Sequence, residues 1–337
     1  MRAIVIREPG GPEVLAIRDL PDPEIPFGYV RVRVAFAGVN RADLLQRAGF
    51  YPAPPGVPAD IPGLEYAGSI DAVGPGASRF ALGERVFGLV AGGAYAEKLV
   101  VHEREVVHVP GALSDEEAAA VPEAYVTAYD ALVTQGRLAP GERVLIHAAG
   151  SGVGTAAIQI AKALGCFVIG TSRTADKLER CKSLGLDAGI VPKGASFADE
   201  VSRVTGGAGA DVVLDLVGGA YVAEDVLAAA PKGRILIVGL TAGVMSELNL
   251  GVLLQKRASL IGTVLRARPL EEKIEAAKLL ERHLVPWLNA RALRPVIDRV
   301  FKLEDAAAAH AYVGGNESFG KVLLTIGSAG GSTRSPC

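Results

Sequence analysis

Apolar and polar positions alternate through the first third of the chain. Ile4 and Ile6 interleave with Val5 and Arg7, and Val30, Val32 and Val34 interleave with Arg31, Arg33 and Ala35. A period of two with one polar face predicts short, half-buried strands. Clusters of Gly and Pro separate them, at Pro9-Gly10-Gly11-Pro12, between residues 21 and 26, between 52 and 58, and at Gly74-Pro75-Gly76. Proline removes ladder donors and glycine supplies positive φ, so these clusters predict turns, and the region reads as a compact β barrel.

The pattern changes near Leu113. Ser114 followed by Asp115-Glu116-Glu117 predicts a capped helix start. From Arg143 onward, apolar runs at residues 143–148, 166–170, 188–191, 211–216, 234–239 and 259–264 alternate with helical stretches at 153–164, 176–184 and 196–204 and a further one ending near Ala230. Six apolar strands alternating with helices predict a doubly wound parallel sheet. Beyond Arg266 the chain offers one amphipathic helix over 270–288, then strands and a short helix. That is too little for a domain, so this segment is expected to rejoin the N-terminal part.

Composition narrows the class. The chain has 337 residues, half of them hydrophobic and 21% charged, with a formal net charge of -2. This is a globular balance with no electrostatic footprint for nucleic acid or an acidic membrane surface. No apolar run is long enough to span a bilayer, and Arg7, Glu8 and Pro9 interrupt any signal-peptide core at the N-terminus. The 3 cysteines, Cys166, Cys181 and Cys337, stand in no disulfide or metal spacing, and the 5 histidines show no ligand pair, so no metal site is expected. A reducing, cytoplasmic compartment follows. The histidines read as surface positions, and residues 327–337 as a disordered tail.

The 41 glycines include one group with chemistry. His147-Ala148-Ala149-Gly150-Ser151-Gly152-Val153-Gly154-Thr155 lies between a predicted strand and a predicted helix. Missing Cβ atoms let backbone approach a pyrophosphate, and the helix N-terminus offers free N–H groups. Strand before, helix after and a second strand beyond point to a dinucleotide site at Gly150, Ser151, Gly152, Val153 and Gly154. An NAD site would place a carboxylate at the end of the second strand. Here Gly170-Thr171-Ser172-Arg173-Thr174 stands there, with Lys177 one turn later. Ser172, Arg173 and Lys177 suit a ribose 2′-phosphate and favour NADPH, with Asp176 as a partial offset.

Together these motifs identify a family. The chain resembles the zinc-independent, zeta-crystallin-like quinone oxidoreductases of the medium-chain dehydrogenase/reductase superfamily. The resemblance is carried by Gly38-Val39-Asn40-Arg41-Ala42-Asp43, Gly49-Phe50-Tyr51-Pro52, Pro62-Gly63-Leu64-Glu65-Tyr66-Ala67-Gly68, Val73-Gly74-Pro75-Gly76, Gly83-Glu84-Arg85-Val86 and residues 122–130 and 147–162. Residues 40–49 and 257–268 look most like the p53-inducible subgroup. Zinc alcohol dehydrogenases carry Cys where Gly38 stands and Gly-His-Glu where Gly63-Leu64-Glu65 stands, so both zinc ligands are missing.

The resemblance implies a GroES-like β-barrel catalytic domain over 1–124, completed by 266–326, and a Rossmann domain over 125–265. It implies a homodimer, an NADPH cofactor and a small-molecule quinone substrate. Asn40 and Tyr51 are implied as the polar groups at the substrate end, with the Tyr51 phenol donating to developing oxyanion charge. Thr127 is implied near the nicotinamide ribose. Val217, Gly239 and Leu240 end parallel strands where such sheets bind cofactors, and Leu265 and Lys321 are implied on the same grounds. Relatives often carry an adenine-stacking tyrosine where Pro192 stands; Lys193 beside it can still aid the phosphate. Two other readings share these features. One is reduction of an enone or enoyl thioester, for which Arg41, Arg47 and Arg266 would line a basic rim. The other is a catalytically idle NADPH-binding, crystallin-like protein.

Overall fold

The computed structural model describes residues 1–327, so the expected tail lies, from residue 328 on, outside the described residues. The chain divides into two compact units, one formed by residues 1–123 with the segment from Arg266 onward, the other by Ala124–Leu265.

The first unit is organised by the strand Tyr29–Val39. One side pairs antiparallel with Glu65–Val73, while the other is shared, Lys98–His102 taking residues 29–33 and Lys321–Thr325 taking 36–39. A single long strand thus serves three partners and curls the sheet toward the barrel its alternation predicts. Val30, Val32 and Val34 are fully buried. Arg31 and Arg33 stand on the opposite face, where both ion-pair with Asp71. The sheet runs on through Arg85–Leu89 to Val107–His108, and past Lys321–Thr325 to the parallel edge strand Ile297–Lys302. The segment beyond Arg266 therefore contributes two strands to this sheet.

The amphipathic stretch expected as one helix over 270–288 is helical but not uniform. Leu270–Leu279 and Val285–Asn289 are α-helical, and Leu280–Leu284 between them is a π segment. Pro286 has no N–H to continue the α ladder, and the wider turn just before it absorbs that defect.

The second unit is a six-stranded parallel sheet in the spatial order Ala188–Ile190, Phe167–Thr171, Arg143–Ile146, Ala210–Asp215, Ala229–Ile237, Ser259–Gly262. The chain runs outward from Arg143–Ile146 in one direction, then returns and runs outward in the other. That order places a crevice between the carboxyl ends of Arg143–Ile146 and Ala210–Asp215, the place where such sheets bind ligands. Leu145, Ile169, Val213 and Ile235 fill one packed core against Phe197, Val201 and Val226.

Two histidines overturn the surface expectation. His147 and His310 are both fully buried. Each is tolerated because its ring nitrogens meet polar partners: Thr171 and Asp225 for His147, Arg47 and Tyr95 for His310. Burial, with Arg47 adding to it, pushes His310 down to about 3 and keeps it neutral.

Gly68 marks the tightest approach in the barrel. A Cβ there would stand 2.0 Å from the Arg33 carbonyl oxygen of the paired strand. Gly68→Ala must push backbone against backbone, and we expect a loss of about 1–3 kcal/mol, seen as a lower urea midpoint with an unchanged m-value.

Candidate functional site

In the second unit the glycine loop follows the strand Arg143–Ile146 and opens the helix Gly152–Ala163. Ser151 is the N-cap, its Oγ accepting from the Gly154 N–H at 3.0 Å. The left-handed residue of the turn is Ala148, at φ 48°. Gly154 serves packing: a Cβ there would lie 2.5 Å from the Ala148 carbonyl oxygen. That crowding holds the helix start against the strand end and aims its free N–H groups into the crevice, a cradle suited to a pyrophosphate.

Beyond the next strand, Ser172 is buried and its Oγ accepts a long 3.4 Å bond from the Thr174 N–H. Arg173 is exposed and Lys177 half-buried, at the start of the helix Ala175–Lys182. Asp176 is exposed and held low, first by the Thr174 hydroxyl and more weakly by Lys177. Lys193 is exposed, in a turn where it bridges to Ser196. Val217 follows the strand Ala210–Asp215, its N–H bonded to Asp215 at 2.7 Å. Gly239 stands against the neighbouring backbone, where a Cβ would meet the Leu216 carbonyl at 2.4 Å, and Leu240 beside it is exposed. Thr127 is buried on the helix Pro122–Tyr129, and Leu265 ends the unit half-buried. Glycine loop, basic strand end and close-packed glycine backbone thus share the carboxyl edge of one sheet.

Asn40, Tyr51 and Lys321 belong to the first unit. Asn40 caps the helix Arg41–Arg47, and Asp43 reaches back to the Asn40 N–H at 2.8 Å. The Asn40 amide is committed: Nδ2 donates to Glu65 Oε1 at 2.9 Å and Oδ1 accepts from Lys321 Nζ at 2.6 Å. Lys321 also ion-pairs with the same Glu65 oxygen, and the other oxygen accepts from the Glu123 N–H at 2.8 Å. Glu65 is 0% exposed and Lys321 4%. The Lys321 charge is therefore spent on a buried carboxylate.

Tyr51 is half-buried in the loop after that helix. Its ring lies 5.1 Å from the Arg266 guanidinium, and its carbonyl accepts from Arg266 Nη1 at 3.0 Å. Its hydroxyl makes no hydrogen bond among the described residues. Burial pushes the phenol up, and Arg266 acts against that. Arg266 is the residue the sequence undervalued. Rather than lining an open basic rim it is buried, bonded to Ala91 O at 2.7 Å and Gln46 Oε1 at 2.6 Å besides Tyr51. Arg47 is spent on Gly10 O and His310, and Arg41 on Asn316 and Val313.

Two acids were also missed, Asp43, which is buried, and Glu123, which is half-buried. Asp43 accepts from the Gly63 N–H at 2.9 Å and the Tyr95 hydroxyl at 3.3 Å, and burial pushes it up to about 6. Desolvation, with Glu65 adding to it, pushes Glu123 up to about 8. The one signal for Glu65 was Gly38, whose Cβ would stand 2.0 Å from Glu65 Oε1. Among the described residues no group of three or more His, Cys, Asp or Glu side chains is placed to hold a metal ion.

Against known proteins, residues 27–111 match the alcohol dehydrogenase GroES-like domain and residues 152–282 the zinc-binding dehydrogenase family. The human protein named quinone oxidoreductase is 32% identical over 330 residues, 97% of this chain and 98% of its own length. A Pseudomonas aeruginosa quinone oxidoreductase is 35% identical over 323 residues, 94% of this chain and 96% of that one. The crystal structure of Escherichia coli quinone oxidoreductase complexed with NADPH superposes with a TM-score of 0.87 at 28% identity, covering 96% of this chain and all of that one. The chain belongs to the quinone oxidoreductases of the medium-chain dehydrogenase/reductase superfamily.

The Glu65–Lys321 pair gives a direct check. Lys321→Met leaves a buried carboxylate uncompensated and should cost about 3–5 kcal/mol, while Glu65→Gln with Lys321→Met should recover most of it. Chemical denaturation of the two variants measures the difference.

Proposed function

We propose that this protein is an NADPH-dependent reductase of quinones that works without zinc. The observation that carries the acceptor end is Tyr51: its ring and carbonyl are fixed by Arg266, and its hydroxyl is left without a partner. A fixed phenol can donate to the carbonyl oxygen of an acceptor as negative charge develops there. Asn40, held by Glu65 and Lys321, keeps its helix start in place and braces the same lobe. Lys321 supports that brace and is assigned here to the acceptor end rather than to the dinucleotide.

The dinucleotide belongs to the second unit on this reading. The helix start at Ser151, Gly152, Val153 and Gly154, preceded by Gly150, would hold the pyrophosphate. Ser172, Arg173, Lys177 and Lys193 would hold the 2′-phosphate, and Thr127, Val217, Gly239, Leu240 and Leu265 would line the nicotinamide half. A glycine cradle that a Cβ would fill, and exposed cations with no carboxylate at the strand end, support that fit. When bound, the dihydronicotinamide supplies the reducing equivalents. Residues 1–124 with 266–326 are assigned to the acceptor and 125–265 to the cofactor.

Gly38 and Leu64 stand where zinc-dependent relatives carry ligands, and the Glu65 carboxylate fills the space a side chain at Gly38 would need, which supports chemistry without zinc. The edge strand Ser259–Gly262 is paired on one side only, and exposed Leu250, Leu254 and Val264 lie near it in the chain, which supports a homodimer. No helix among the described residues is long and apolar enough to cross a membrane, and buried, unpaired Cys166 and Cys181 support a reducing, cytoplasmic setting.

NADPH oxidation should be seen with 1,4- and 1,2-quinones. Tyr51→Phe should lower kcat about 10²-fold with little change in the KM for NADPH; activity confined to enoyl thioesters, with Tyr51→Phe inert, overturns the assignment. Arg173→Ala with Lys177→Ala should raise the KM for NADPH and leave that for NADH nearly unchanged. A wild-type preference for NADH contradicts the assigned phosphate site.

A further inference from the structure

Two buried acids at the carboxyl edge of the parallel sheet have no part in the function proposed above. Asp215 ends the strand Ala210–Asp215 and Asp225 sits on the helix Ala220–Ala228, and neither is exposed. Asp215 Oδ1 accepts from the N–H groups of Val217 at 2.7 Å and Gly218 at 2.9 Å. Asp225 Oδ1 lies 2.7 Å from His147 Nε2, and His147 Nδ1 lies 2.8 Å from Thr171 Oγ1. The remaining oxygens, Asp215 Oδ2 and Asp225 Oδ2, are buried with no donor on either. The two carboxyl groups are within hydrogen-bonding reach of each other. Two ionised carboxylates facing each other in a dry core are strongly unfavourable, and one proton between them satisfies both orphan oxygens.

We propose that Asp215 and Asp225 share a single proton, and that the chain His147–Asp225–Asp215 is a positioning element tying the start of the glycine loop to the Val217–Gly218 turn. Asp215 accepts two backbone N–H groups and keeps the negative charge; Asp225 carries the proton on Oδ2. The Thr171 hydroxyl donates to His147 Nδ1, and neutral His147 donates from Nε2 to Asp225 Oδ1. Every polar side-chain atom of the chain then has at least one complementary partner.

The surroundings support this allocation. Burial pushes Asp225 up to about 6, Asp215 adds to that, and His147 opposes it. The other titratable group facing the cluster is the Tyr221 phenol, whose ring is 4.9 Å from that of His147 and which itself feels Arg173. Phe197 covers the imidazole at 4.6 Å. Gly218 has φ 70°, and a Cβ there would stand 2.9 Å from the Gly239 carbonyl oxygen, so the turn has little room to move. Losing the proton as pH rises sets two charges face to face and displaces the turn.

The consequence for ligand binding rests on the dinucleotide-binding reading, so the test has a ligand-free arm. In the first arm, infrared spectra of wild type and Asp225→Asn are compared without ligand at mildly acidic pH, below the Asp225 titration at about 6. The expected difference spectrum carries the carbonyl stretch of one protonated buried carboxyl. In the second, NADPH affinity is measured from mildly acidic to alkaline pH, across the titration of Asp225 at about 6. Wild-type affinity should fall about tenfold as the pair ionises, because the shared proton and the bound ligand favour the same turn. In Asp225→Asn the amide donates to Asp215 and accepts from His147 at every pH, so the fall on raising the pH through about 6 should vanish. Asp225→Leu, which cannot donate, should bind weakly throughout. If that variant fails to fold, Asp225→Asn still decides. No carboxyl band, or a fall through that same pH range that persists in Asp225→Asn, overturns the shared proton. A band lost in Asp225→Asn, with no NADPH binding by wild type at any pH, retains the shared proton and overturns the dinucleotide reading instead.

Discussion

The buried carboxylate of Glu65 is the constraint on which the first unit depends. An uncompensated charge in an apolar barrel costs several kcal/mol, so every donor it receives must be delivered accurately. Those donors come from distant parts of the chain: the Asn40 amide at a helix N-cap, the Glu123 N–H and the Lys321 ammonium. Lys321 lies 256 residues from Glu65 in sequence. Satisfying the acid therefore requires the last strand to lie beside Tyr29–Val39, in the register that pairs Val322 with Val39. Gly38 completes the arrangement by leaving room for the carboxylate.

This polar centre fixes the helix Arg41–Arg47 and the loop that carries Tyr51. The helix Arg41–Arg47 is anchored at its start by Asn40 and Asp43, and the loop after it is anchored by Arg266 through Gln46 and Tyr51. Charge is spent inside the lobe on position, and the Tyr51 phenol, fixed by Arg266, keeps an unused hydroxyl. The second unit follows the same logic with different parts. Gly154 and Gly239 let backbone approach backbone, and Asp215 gathers two N–H groups at a strand end. In both units, polar contacts between remote residues fix the backbone locally.

How much of this could be read from residues alone follows the range of each interaction. The alternation at Val30, Val32 and Val34 is local, and these side chains are fully buried as that alternation requires. The six apolar runs and the glycine loop likewise announced a parallel sheet, since strand, turn and helix start are contiguous. Arg266 was different. In sequence it suggests only a place on a basic rim, and its partners, Gln46, Tyr51 and Ala91, lie far away in the chain. His147 and His310 were misplaced for the same reason: no neighbour in sequence supplies the Asp225 or Tyr95 that makes burial tolerable.

The sequence by itself determined the class of fold, the place of the glycine turn between strand and helix, and the absence of zinc-ligand residues at positions 38 and 64. These depend on periodicity, on glycine at fixed spacing and on residue identity, all of which survive in one dimension. Only the tertiary structure decided which charges are spent and which remain available. Lys321 and Arg266 are committed to buried partners, whereas Arg173 and Lys193 stay exposed. A cation's role is set by the dielectric around it and by the groups within a few ångströms, and both are created only when remote segments pack together.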